Sequence, residues 1–202
     1  MDITVGELPP SRHAEAYRLR HRVLCETLGE LPPNADAQER DAWDECSLHV
    51  HVSLGEHLVA YTRIILPGRR PFLMESLGYS LEALSGDLRC HVGEPSRVIV
   101  DPKLARNLRV KHDPFGKLAA AAYQLSIERG VVGWVFDTDS QLVRALQQRG
   151  WPLVQFGDPI EHHGVNRAPY FVRLSEIDSA RFAERARPAR LKVGQVPAAQ
   201  RS

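Results

Sequence analysis

The stretch 92-VGEPSRVIVDP-102 sets Glu94, Pro95, Ser96 and Arg97 directly before the apolar residues Val98, Ile99 and Val100. Such a run reads as a strand buried on both faces, where an uncompensated charge is costly. Residues three apart on a regular strand face opposite sides. Glu94 and Arg97 therefore either serve different subsites, or Pro95 marks a bulge that brings them round to one side. A structural ion pair at a strand end is the plainer alternative.

Downstream of this strand, 103-KLARNLRVKHDPFG-116 is a basic connection into an alanine-rich helix, 117-KLAAAAYQLSIERG-130, which Gly130 ends. Residues 131–136 read as an apolar strand closed by Asp137, Thr138 and Asp139. Ser140 is placed to cap a helix over 141–149 that stops at Gly150. Two last strands, 151–156 and 170–174, are joined by 157-GDPIEHHGVNRAP-169. Upstream, Ser11 can cap a helix that carries Ala14, Tyr17, Leu19, Val23, Leu24 and Leu28 and stops at Gly29. The segment 30-ELPPNADAQERDAWDE-45 is long for a connection, and long ordered loops in compact domains are usually functional. Leu48, Val50, Val52 and Leu54 alternate with His49, His51 and Ser53 as a half-buried strand, and residues 57–66 return as its hairpin partner. Pro67, Gly68 and Pro71 break the chain before a short helix expected over 80–85. Strands alternating with helices predict an α/β sandwich whose sheet starts antiparallel and turns parallel in the middle. Residues 1–177 are read as one domain and 178–202, which lose apolar periodicity, as a flexible tail.

Composition narrows the function classes. A net charge of +1 carries no global signature of nucleic acid or of an anionic membrane, so an electrostatic partner must be met by a local patch. No apolar run is long enough to span a bilayer, and Met1, Asp2 and Ile3 begin no positively charged signal region. Three scattered cysteines (Cys25, Cys46, Cys90) suit reduced cytosolic thiols and have no zinc spacing.

Four groups of residues compete to carry chemistry. Asp41 and Asp44 are paired carboxylates suited to a cationic ligand, or are simply loop polarity. Glu94 and Arg97 stand at the strand mouth, and Arg63, inside an otherwise apolar strand, needs an acidic partner that Glu94 or Asp44 could supply. His49 with His51, and His162 with His163, lack a third metal ligand and read as surface histidines. The basic run Lys103, Arg106, Arg109, Lys111 and Lys117 precedes a helix N-terminus, where free N–H groups and the helix dipole favour phosphate, as on coenzyme A or an acyl-carrier protein. A solvated face is its ordinary alternative.

Taken in order, 17-YRLRHRVLCETLG-29, 40-RDAWDE-45, Arg63, 94-EPSRVIVD-101 and 149-RGWPLVQFG-157 resemble the autoinducer synthases, and also the related long-chain N-acyl amino acid synthases. The element order resembles the GCN5-related N-acetyltransferase (GNAT) fold, a three-layer α/β sandwich. The resemblance implies a bacterial N-acyltransferase that moves an acyl group from an acyl-carrier protein or acyl-coenzyme A thioester to a small amine. It implies no tightly bound cofactor and no metal. Glu94, Ser96 and Arg97 become the candidate catalytic group; Arg20, Asp41, Asp44, Arg63, Leu24 and Glu30 the candidate acceptor site; and the basic run the carrier or phosphopantetheine site. Autoinducer synthases usually carry aromatics at the places of Leu24 and Glu30, against S-adenosylmethionine. An amino acid is therefore the expected acceptor, with S-adenosylmethionine as the alternative. Val135, Leu153, Val154 and Phe156 could line an acyl tunnel, although their default reading is core. A non-catalytic acyl- or carrier-binding module is the rival from another class.

Overall fold

A computed structural model describes residues 2–68, 72–101, 103–104, 113–162 and 164–178. Arg106, Arg109, Lys111, His163 and the tail beyond 178 lie outside the described residues.

Strand β1 (Ile3–Glu7) leads through a short turn into helix α1 (His13–Arg20), which continues as a π-helical segment, His21–Thr27. There the Leu28 N–H reaches back five residues to the Val23 carbonyl, at 2.9 Å. The hairpin β2 (Ser47–Leu54) and β3 (His57–Ile65) follows, then short helices α2 (Leu73–Ser76) and α3 (Gly86–Arg89). Strand β4 (Val92–Val100) precedes the long helix α4 (Pro114–Glu128), β5 (Gly133–Thr138) and α5 (Ser140–Gln147). The short strands β6 (Val154–Gln155) and β7 (Ile160–His162) then pair with the long β8 (Val165–Arg173).

The sheet order is β1-β2-β3-β4-β5-β8-β6, with β7 also on β8. All neighbours are antiparallel except β4 and β5, the parallel pair in the middle. The expected mixed sheet is therefore present, and so are the outer layers. Helices α4 and α5 cover one face, where Leu118, Ala119, Ala122 and Leu146 pack on Val50, Val52, Ala60, Ile64 and Trp134. Helix α1 and its continuation cover the other, where Ala16, Leu19, Val23 and Leu24 meet Leu58, Tyr61 and Ile99. The same face is closed further along by residues 72–92, with Phe72, Met74, Tyr79 and Leu81 against Ile65 and Val135.

Several local expectations need correction. Strand β1 was not anticipated, and β2 is buried on both faces because α1 covers the side of His49 and His51. Those two histidines, expected at the surface, are 3% and 6% exposed. Ser11 makes no cap; it sits inside a 3-10 turn, Pro10–Arg12. Asp139, not Ser140, caps α5, its carboxylate accepting the N–H groups of Gln141 and Leu142. The short helix expected over 80–85 forms instead at α3, and α2 was unforeseen. The two last strands also shift: 151–156 shortens to β6, while 170–174 lengthens into β8 with β7 beside it.

The feature that places the site is the brevity of the β4–β5 contact. Only Val92↔Gly133 and Gly93↔Trp134 pair. Beyond Gly93 strand β4 keeps its partner β3, while β5 continues with β8, so the two central strands part at Glu94. Gly133 permits this junction: a Cβ there would lie 2.5 Å from Phe171 Cε2 and 3.0 Å from the Val172 carbonyl oxygen. Gly133→Ala is expected to destabilise by ~1–3 kcal/mol through overpacking, with each kcal/mol worth roughly 2–4 °C of Tm in a chain of this size. Thermal melting checks this, and an unchanged Tm would show that Phe171 yields freely.

Candidate acceptor and acyl-transfer site

The site is built where α1, the loop after it and strands β3 and β4 converge. The loop is tied to α1 by the Glu39 N–H on the Tyr17 carbonyl, at 3.0 Å. It then folds on its own side chains: the Asp44 carboxylate accepts the Asp41 N–H at 2.8 Å, and that of Asp41 accepts the Trp43 N–H at 3.0 Å. These turns aim Glu39, Asp41 and Asp44 at three arginines.

Arg63 donates from Nη1 to Asp44 at 2.7 Å, from Nη2 to Asp41 at 2.7 Å and from Nε to the Ser96 hydroxyl at 2.9 Å. Its Nη1 also bonds to Asp41. Arg20 bonds to Glu39 and to Asp44. Arg97 donates to Glu39 at 3.0 Å and to Asp41 at 3.1 Å. Three positive and three negative charges thus close on one another. Burial works against ionising Glu39 and Asp44, but the guanidinium hydrogen bonds and charges outweigh it and hold both carboxyls below their usual range. The arginines gain correspondingly: burial opposes their charge, and their carboxylate partners raise both Arg20 and Arg63 above the ordinary value.

The cluster has depth. Arg20 and Arg63 side chains are fully buried and Asp44 nearly so, whereas Arg97, Asp41 and Glu39 are 17%, 18% and 10% exposed. The accessible edge is therefore Arg97, Asp41 and Glu39, and the buried members are its floor.

Arg63 pairs with Ser96 and Tyr61 with Ile99, so Arg97 and Val98 together stand opposite Thr62. This is a β-bulge, and Arg97 carries φ 56°, the left-handed conformation that a non-glycine residue adopts at a cost. A regular strand would send Arg97 to the face opposite Ser96; the bulge turns it to Glu39 and Asp41. Pro95, expected to mark the bulge, stays in register with Ile64.

Glu94 lies on the same face as Ser96 and Arg63 but does not join the ion cluster. It is 1% exposed, and its two oxygens accept the N–H groups of Leu73 at 2.8 Å and Met74 at 2.9 Å. Burial pushes its carboxyl up to about 8, against those two amide hydrogen bonds; the nearby charge of Asp137 pushes the same way. A carboxyl so placed can exchange a proton near neutral pH.

Other predicted residues lie elsewhere. Leu24 is buried in the packing under α1 and Glu30 is exposed. Lys103 is exposed while Lys117 is buried in the first turns of α4. Val135 is core, Leu153 and Phe156 pack against core residues, and Val154 is 56% exposed. Glu39 was missed. Charge counting, three arginines against Asp41 and Asp44, calls for a third carboxylate but does not choose between Glu39 and Glu45 on the same loop; the fold buries Glu39 and leaves Glu45 exposed.

Removing one member of a buried ion pair leaves its partner uncompensated. Asp44→Ala is expected to cost about 3–5 kcal/mol, and Asp41→Ala less because its side chain reaches solvent. Since Glu39 and Asp44 are held below their unfolded values of 4.5 and 3.8, the stability they give is present above those values and is lost as pH falls through the lower folded ones. Melting curves from pH 7 downward should show an acid-side loss in the wild type that shrinks in Asp44→Ala; parallel curves would remove Asp44 from the account.

The geometry can be set beside known proteins. An acyl-homoserine-lactone synthase from Rhizobium radiobacter is 27% identical over 150 residues, covering 72% of this chain and 71% of its own. TofI, solved in a ternary complex with an inhibitor and MTA, is 23% identical with a TM-score of 0.69, over 91% of this chain and 97% of its own. BjaI, a CoA-dependent acyl-homoserine lactone synthase solved with SAM and isopentyl-CoA, is 20% identical with a TM-score of 0.72, over 95% and 92%. The autoinducer synthase profile matches residues 7–183, a span that includes the whole ion cluster and Glu94. This chain belongs to the autoinducer synthase family and is an acyltransferase.

Proposed function

We propose that the chain acylates the amine of S-adenosylmethionine from an acyl thioester and releases an acyl-homoserine lactone. The observation that carries this reading is the position of the ion cluster. Its exposed edge of Arg97, Asp41 and Glu39 offers one positive and two negative groups to an acceptor that bears both an ammonium and a carboxylate. It adjoins Glu94, at the point where β4 leaves β5.

The amine nitrogen attacks the thioester carbonyl carbon, forming the C–N bond. Before that attack Glu94 takes the ammonium proton, directly or through a water, since the protonated nitrogen has no lone pair. The tetrahedral oxyanion is steadied by backbone N–H groups of the β4 edge that β5 no longer pairs. Collapse breaks the C–S bond and returns a proton to the thiol. The acceptor's own carboxylate can then displace the sulfonium group, closing the lactone and releasing methylthioadenosine, the MTA bound to TofI. Positioning by the ion cluster supplies much of the remaining advantage.

The amino-acid alternative leaned on Leu24 and Glu30. With Leu24 in the core and Glu30 exposed, neither side chain decides against S-adenosylmethionine, and the family relation favours it. The donor is read as acyl-coenzyme A or an acyl-carrier protein, the bacterial cytoplasm as the setting, and residues 1–177 as one domain. The basic run is read as the side that meets the donor's phosphates; Lys103 and Lys117 are its described members.

The purified protein, given S-adenosylmethionine, free amino acids and either thioester, should form acyl-homoserine lactone and methylthioadenosine in equal amounts by mass detection. Acylation of an amino acid with S-adenosylmethionine unconsumed would sink the proposal. With the base active only when deprotonated, kcat/KM should rise with pH through about 8. Glu94→Gln should keep its fold and lose turnover; retained near-wild-type turnover would take Glu94 out of the mechanism.

A further inference from the structure

Beneath the ion cluster lies a second layer that none of the reactions above uses. His49, on β2, is almost fully buried. Its Nε2 is 2.9 Å from the Asp44 carbonyl oxygen and its Nδ1 is 2.7 Å from the Tyr61 hydroxyl. A carbonyl can only accept, so Nε2 carries the hydrogen. In the neutral ring Nδ1 is then bare and accepts the Tyr61 O–H. The ring is fixed on its faces as well, since His13 stacks on it with centroids 4.0 Å apart. Burial lowers the tendency of His49 to protonate, the Asp44 carbonyl only partly opposing this, which favours the neutral ring with its hydrogen on Nε2.

We propose that His49 and Tyr61 are positioning residues of the acceptor site, a buried relay that fixes Asp44 from its backbone side and so sets where Arg20 and Arg63 stand. Asp44 is the member on which both buried arginines converge. Its carboxylate is held by the two guanidinium groups and the Asp41 N–H, all of which act on the side-chain end of the residue. The His49 bond to its carbonyl fixes the backbone end as well. Tyr61, fully buried beside Arg20 and with its phenol pushed above the ordinary value by burial, gives His49 a directional anchor on β3, the strand that carries Arg63. The relay therefore links β2, β3 and the acidic loop at one point. A merely space-filling pair would not need matched donors and acceptors at both ring nitrogens.

The inference rests on the acceptor reading above, and the test separates the two. Tyr61→Phe removes one hydroxyl and leaves the packing; His49→Gln keeps an N–H for the Asp44 carbonyl and loses the Tyr61 contact. Each variant is expected to raise the acceptor KM about fivefold, the weight of one neutral hydrogen bond, while the acyl-donor KM holds to within about twofold. Without any substrate, nitrogen NMR should show a His49 Nε2–H tautomer in the wild type, and the Arg20 and Arg63 Nε–H resonances should move in Tyr61→Phe while that of Arg12 stays. Unmoved Arg20 and Arg63 resonances, an Nδ1–H tautomer, or donor and acceptor KM values rising together would overturn the relay. Moved resonances in an enzyme that does not consume S-adenosylmethionine would keep the relay and overturn only the acceptor assignment.

Discussion

Arg63 is the constraint around which the rest of the structure is arranged. A guanidinium group with no exposure, in the middle of a sheet, must have its charge neutralised and its N–H groups accepted. On the neighbouring strand Ser96 accepts one N–H but carries no charge, and both Glu94 oxygens are taken by the Leu73 and Met74 N–H groups, so the carboxylates come from the loop. The loop after α1 supplies Asp41 and Asp44, and because two carboxylates on one arginine overcompensate it, Arg20 enters from α1 and Arg97 from β4. Each addition explains another peculiarity of the chain: the polar loop that is ordered without regular structure, the charged residue on the buried side of α1, and the positive φ at Arg97.

The second organising fact is that β4 and β5 meet for only two residue pairs. A continuous parallel ladder would take up the backbone groups of β4 beyond Gly93. Parting the strands leaves one edge of β4 unpaired among the described neighbours and puts a carboxyl whose proton affinity is raised by burial at the start of the opening. Glu94 and the ion cluster lie on one face of β4, the juxtaposition on which the proposed acceptor reading rests.

How much of this was legible in the residues alone depends on whether the signal was local. The mixed sheet followed from alternating strand and helix patterns, and Arg63, Glu94 and Arg97 stood out because they interrupt or border apolar runs; Arg20 and its grouping with Asp41 and Asp44 came only from the family resemblance. What sequence could not supply was direction. The choice between Glu94 and Asp44 as partner of Arg63 depends on where the loop lands, and the bulge at Arg97 rather than Pro95 depends on a register set by β3. The histidines of β2 were misread because period-two alternation describes one face of a strand and says nothing of a helix packed on the other. Glu39 escaped notice for the same reason: among the acids of a polar loop, only the fold selects the one that turns inward.

The closure of the ion cluster has a consequence for how ligands find it. Three positive and three negative charges within one small volume cancel at distances beyond a Debye length. The protein as a whole adds little, with a net charge of +1. A zwitterionic small molecule therefore feels little directed field from the cluster itself until it is nearly in contact. Discrimination is deferred to the last few ångströms, where the opposing dipoles of Arg97 and its two carboxylates are resolved separately.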